Sequence, residues 1–104
     1  MAPNKHDIVE ALAVVAVGGS ADEKALMPVR KSVHTIVSGA IRGSDLGEVE
    51  RRFQQRVYST EQTGIILDKI VENVEKKGGL SIRGGHFIGK KDVDAARKKL
   101  LPGE

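Results

Sequence analysis

From Ile8 the chain runs through Val9, Ala11, Leu12, Val14, Val15, Ala16 and Val17 with almost no polar position between them. The small residues Ala11, Ala13 and Ala16 favour a helix over residues 4–17, against the strand preference of Val14, Val15 and Val17. Asn4 or Asp7 is the candidate cap, and Gly18-Gly19 the stop. A helix that is apolar all round is a buried one, placed at the centre of a fold or in a subunit interface.

The next three segments are amphipathic. Leu26, Val29, Val33, Ile36, Val37 and Ala40 recur at helical spacing. They predict a second helix opened by Ser20 or Asp22, running to about Ile41 and closed by Gly43. Pro28 lies inside that span, so the helix either begins near Met27 or kinks there. Ser44-Asp45 opens a third helix, with Asp45 and Glu48 as a capping box and Leu46, Val49, Phe53 and Val57 as its apolar stripe. Ser59 and Gln62 form a second such box and open a fourth helix to about Lys77. Its stripe is Ile66, Leu67, Ile70, Val71 and Val74, and Gly78-Gly79 is its stop.

After this point the period changes. Leu80-Ser81-Ile82-Arg83 and His86-Phe87-Ile88 are short arms about Gly84-Gly85, a pair that supplies the positive φ of a tight hairpin turn. Lys91 to Leu101 then reads as a short final helix, with Val93, Ala96 and Leu100 inward and Arg97, Lys98 and Lys99 outward; Pro102-Gly103 ends it. The fold class is therefore mainly α with a C-terminal β-hairpin (α+β), in one domain spanning residues 1–104. Helices, a hairpin and a trailing helix follow the order of many winged-helix domains, in which a helix-turn-helix is followed by a two-stranded wing. No family-specific motif accompanies that order.

Composition sharpens this picture in three ways. Only Phe53, Tyr58 and Phe87 are aromatic, so a core built from aliphatic residues alone makes a homodimer a reasonable expectation. With no Cys, disulfide, thiol and cysteine–metal chemistry are excluded. The apolar run from Ile8 to Val17 is about half the ~20 residues needed to span a bilayer, and Asp7 and Glu10 spoil it as a signal peptide. The expected setting is cytoplasmic, with no membrane partner.

Charge is the most directional feature. Residues 1–75 hold 9 Lys/Arg against 11 Asp/Glu, while residues 76–104 hold 8 against 3, so the whole positive excess lies in the last quarter of the chain. It surrounds the hairpin: Lys76 and Lys77 before it, Arg83 beside its turn, Lys90 and Lys91 after it. A solvated basic surface has the same composition, but so does a phosphate-binding one. The run Gly84 to Lys90 fits G-x-x-x-x-G-K, yet Lys91 stands where a nucleotide-binding loop needs Ser or Thr for magnesium. Too little chain follows for the parallel sheet of such an enzyme. A simpler anion site at the start of the final helix, from Lys90, Lys91 and backbone N–H groups, survives that objection. His6, His34 and His86 lack metal-ligand spacing; His34, between Val33 and Ile36, reads as a partly buried packing residue.

These residues point to a small DNA-binding protein, regulatory or accessory and not an enzyme, with no cofactor. Lys76, Lys77, Arg83, His86, Lys90 and Lys91 would hold the backbone of double-stranded DNA. Arg51, Arg52, Gln55 and Arg56 on the third helix would be the groove readers, since Arg and Gln suit guanine and adenine edges. The fourth helix is a poor reader, because Glu61, Asp68, Glu72 and Glu75 would repel phosphates. The alternative is a protein–protein interaction module (an adaptor, a secretion chaperone, or a phage-type assembly or inhibitor protein), motivated by the apolar first helix and the acidic fourth. RNA binding is a third option, weakened because the stacking aromatics of common single-strand binders are missing.

Overall fold

A computed structural model describes residues 3–19, 22–44, 46 and 57–102. Among the described residues there are four helices and one antiparallel hairpin: α1 (Lys5–Ala16), α2 (Glu23–Arg42), α3 (Thr60–Lys77), β1 (Leu80–Ile82), β2 (His86–Ile88) and α4 (Lys90–Leu100). The architecture is mainly helical with a small two-stranded sheet. The expected third helix, with its Asp45–Glu48 box and with Arg51, Arg52, Gln55 and Arg56, lies outside the described residues.

Local chemistry sets the helix ends. Asn4 Oδ1 accepts the Asp7 N–H at 2.8 Å and Asp7 returns the bond to the Asn4 N–H at 2.9 Å, so both residues named from sequence make one capping box. Asp22 caps α2 through the Lys24 N–H. The helix therefore starts five residues before Pro28, at Glu23, and not near Met27. Pro28 cannot donate to the Lys24 carbonyl, so α2 carries the loss of one rung. Ser59 and Gln62 cap α3 reciprocally at 3.1 and 3.0 Å. At the far end of α3, Gly78 has φ +71 and returns the chain sharply, which an L side chain would resist.

The helices form a closed ring in which α1 packs on α2 and α4, and α3 packs on α2 and α4. The hairpin plugs this ring: β1 touches α2 and α3, while β2 touches α1 and α4. Ile8, Leu12, Val33, Val37, Ile66, Leu67, Ile70, Ile88 and Val93 are fully buried in one aliphatic core. The uniformly apolar α1 is explained by this placement. Ile8, Val9, Ala11, Leu12 and Ala13 are buried, and Val14 to Val17 pack half-buried against the same core. No described helix is long and apolar enough to cross a membrane.

Two expectations fail on Val57 and Arg97. Val57 is 52% exposed instead of joining an apolar stripe, because its backbone bridges Asn4 while the next residue, Tyr58, turns inward to 1% exposure. The Tyr58 N–H donates to the Pro3 carbonyl at 2.8 Å, which closes the start of α1 against the start of α3. Arg97 is half-buried because its guanidinium reaches across to Asp68 on α3, at 2.6 Å.

Candidate nucleic-acid interface

Strand register decides what the hairpin presents. Leu80 pairs with Ile88, Ser81 with Phe87 and Ile82 with His86. Opposed residues share a face, so Leu80, Ile82, His86 and Ile88 look into the ring, and Ser81 and Phe87 look out. The turn is three residues long, Arg83-Gly84-Gly85, so Arg83 belongs to the loop and not to the strand as the sequence suggested. Gly84 and Gly85 have φ +86 and +78, the positive values their pairing implied. The Arg83 N–H donates to Ser32 Oγ on α2 at 3.2 Å, which pins the turn while its side chain stays in solvent.

The same register sets two lysine pairs side by side. With Leu80 opposite Ile88, the last turn of α3 (Lys76, Lys77) and the first turn of α4 (Lys90, Lys91) meet at one end of the hairpin. All four side chains are exposed. Lys76 is tied to Glu72 at 3.3 Å, whereas Lys77, Arg83, Lys90 and Lys91 make no ion pair among the described residues. Arg83 stands at the other end, about 10 Å away at ~3.3 Å per strand residue. Five of the six expected hairpin residues thus lie exposed around the two ends of the hairpin. His86 does not: it is half-buried on the inner face, folded against the turn near Gly84.

A helix N-terminus is the positive end of the macrodipole, so cations there are unfavourable and acids favourable. Lys76 and Lys77 sit at a helix C-terminus, where the same dipole welcomes them. Lys90 and Lys91, like Lys5 in α1 and Lys24 in α2, stand in a first turn against the dipole, and Asp92 offsets them with a carboxylate that accepts the Gly89 N–H at 2.8 Å. That bond satisfies the Gly89 N–H, so an anion at the start of α4 would share the helix end with the Asp92 carboxylate. The segment between Gly85 and Gly89 is strand β2, so the partial nucleotide motif forms no phosphate-cradling loop.

The exposed feature that sequence reasoning passed over is Phe87, 64% exposed on the outer face between the lysines and Arg83. Its signal was alternation: with Leu80, Ile82 and Ile88 facing inward, Phe87 had to face out. The chain matches no family model, no curated protein and no solved structure. The functional reading therefore stands on the residues themselves.

Charges on the flanking helices are less hostile than their count implies. Glu61, Asp68, Glu72 and Glu75 of α3 are all exposed, but Asp68 is paired with Arg97, and Glu72 with Lys69 and Lys76. Hydrogen bonds from Lys69 and Lys76 hold the Glu72 carboxyl below its usual pKa. Away from the hairpin, His6, Val9, Glu10, Arg30, Lys31 and His34 line an open groove of about 330 Å³ between α1 and α2. His34 is exposed there and not the partly buried packing residue expected; partial desolvation first, then Lys5 and His6, lower its imidazole pKa. Arg30 in this groove is occupied by Glu10 and Glu23. Among the described residues no cluster of three His, Cys, Asp or Glu could hold a metal ion.

Proposed function

We propose that this chain is a small DNA-binding protein, regulatory or accessory in role, that holds the phosphate backbone on the outer face of its hairpin. The observation that carries the reading is the register that gathers Lys77, Lys90 and Lys91 at one end of that face and leaves Arg83 at the other. A pair of lysines kept at a helix N-terminus against the dipole adds to it, because the folded chain gains nothing from them there. The finer architectural reading belongs to the same proposal: the hairpin acts as the wing of a winged-helix-like arrangement. The pairing of Asp68 and Glu72 reduces the main electrostatic objection. The rival protein-interaction reading loses one of its motives, since the apolar α1 is covered by α2, α4 and β2 within one chain.

A mobility-shift or anisotropy titration at low salt tests it directly. The chain should shift a DNA probe at micromolar concentration, and Arg83→Ala and Lys90→Ala/Lys91→Ala should each weaken the complex. No complex with any DNA probe at that concentration would sink the proposal.

A further inference from the structure

Phe87 is an aromatic residue that the fold does not use. Of the two described aromatics, Tyr58 is 1% exposed and Phe87 64%. A lone exposed apolar residue is ordinary; the surroundings of this one are not. Directly across the ladder stands Ser81, the smallest hydroxyl side chain. Two residues from Phe87 in the chain, just beyond either end of β2, stand Gly85 and Gly89. Diagonally across lies Gly79, where any added side chain would begin 4.0 Å from the ring. Gly79 and Ser81 offer the ring no bulky neighbour across the ladder, so Phe87 stays 64% exposed, with exposed cations at both ends of the hairpin.

Resting on the DNA-binding reading above, we propose that this bare ring is a stacking platform for one unpaired base, so that the chain's ligand class is single-stranded DNA. Lysines at one end and Arg83 at the other would hold the flanking phosphates. An open aromatic flanked by cations is the arrangement with which sequence-tolerant single-strand binders take a strand, because every base has a π-face. The alternative use of an exposed Phe on DNA, as a wedge between stacked base pairs, needs a side chain that projects. Phe87 is the central residue of a three-residue strand, set back from the turn at Arg83-Gly84-Gly85. A ring in the middle of a strand is poorly placed to wedge into an intact stack. The base has to come to it.

The test compares a 20-nucleotide oligo-dT strand with a duplex of equal length by fluorescence anisotropy at low salt. The single strand should bind more tightly, and Phe87→Ala should weaken it by roughly 5- to 150-fold, the span of one base-stacking contact, while leaving the duplex unchanged. Phe87→Trp should keep the affinity. Because the chain has no Trp, its indole emission reports stacking by quenching on oligo-dT. Phe87 is exposed, so an unchanged thermal melt should accompany both variants. Equal affinity for strand and duplex, with Phe87→Ala indifferent on both, overturns the stacking platform but leaves the DNA-binding reading standing. Loss of binding to every DNA probe fails the underlying reading instead. Tighter binding to oligo-U of the same length, or binding to vesicles of phosphatidylserine without binding to oligo-dT, overturns the choice of single-stranded DNA.

Discussion

At the scale of single residues, Arg30 shows how one side chain ties two helices together. Its Nε and Nη2 donate to the two Glu10 carboxylate oxygens at 2.8 and 3.0 Å. Nη1 and Nη2 also reach Glu23, both at 2.7 Å. Hydrogen bonding by Arg30 is the main reason both carboxyls lie below their ordinary pKa near 4.5. The sign follows from that direction. As pH falls through the ordinary carboxylate range, the unfolded chain takes up protons before the folded one, so the stability these groups add above that range is lost below it. Between about pH 6 and about pH 3 the melting temperature of the wild type should fall more steeply than that of Arg30→Met, which keeps the stem and removes the charge. The two curves should converge at the acid end, and parallel curves would show that the clamp contributes nothing. The link to Glu10 was not legible in the sequence, because Glu10 lies on α1 while Glu23 and Arg30 lie on α2, across the intervening turn. The capping residues were legible, because Asn4–Asp7 and Ser59–Gln62 act over three positions.

At the scale of elements, the boundaries of α1, α3 and the hairpin could be read because each is fixed by local signals, a cap at one end and a glycine at the other. What the alternating pattern could not say is that the hairpin is a plug. That depends on Leu80, Ile82 and Ile88 meeting all four helices, a set of contacts between distant parts of the chain. The α4 terminus separates folding from function most cleanly. Lys90 and Lys91 oppose the helix dipole, so replacing both with Ala should leave stability unchanged or raise it by about 0.3–1 kcal/mol each, read as a higher urea midpoint. The same substitutions should weaken DNA binding. A loss of stability would mean that these side chains serve the fold, and the argument from their misplaced charge would fail. Asp92 marks the contrast: it caps α4, and removing it should cost stability in the ordinary way of an N-terminal cap.

At the scale of the whole molecule, the asymmetric charge visible in the sequence becomes a counted surface. The sequence located the excess in residues 76–104, and the register adds that Lys76, Lys77, Lys90 and Lys91 lie at one end of the hairpin and Arg83 at the other. Lys98 and Lys99 belong to the later turns of α4, away from the hairpin ends, and Lys76 already has Glu72 as a counter-charge. That leaves Lys77, Arg83, Lys90 and Lys91 to displace counterions. Each phosphate neutralised on a single strand contributes about 0.7 to the slope of log affinity against log salt. Four such contacts give a slope of about −3, hence a loss of roughly 50-fold between 50 and 200 mM salt. Lys90→Ala/Lys91→Ala should halve that slope, because it removes two of the four contacts. Phe87→Ala should lower the affinity at every salt concentration and leave the slope where it was, because stacking releases no ions. A wild-type slope near −1 would mean that the cations framing the hairpin do not act together on one strand, and the lysine pairs would then be a solvated surface.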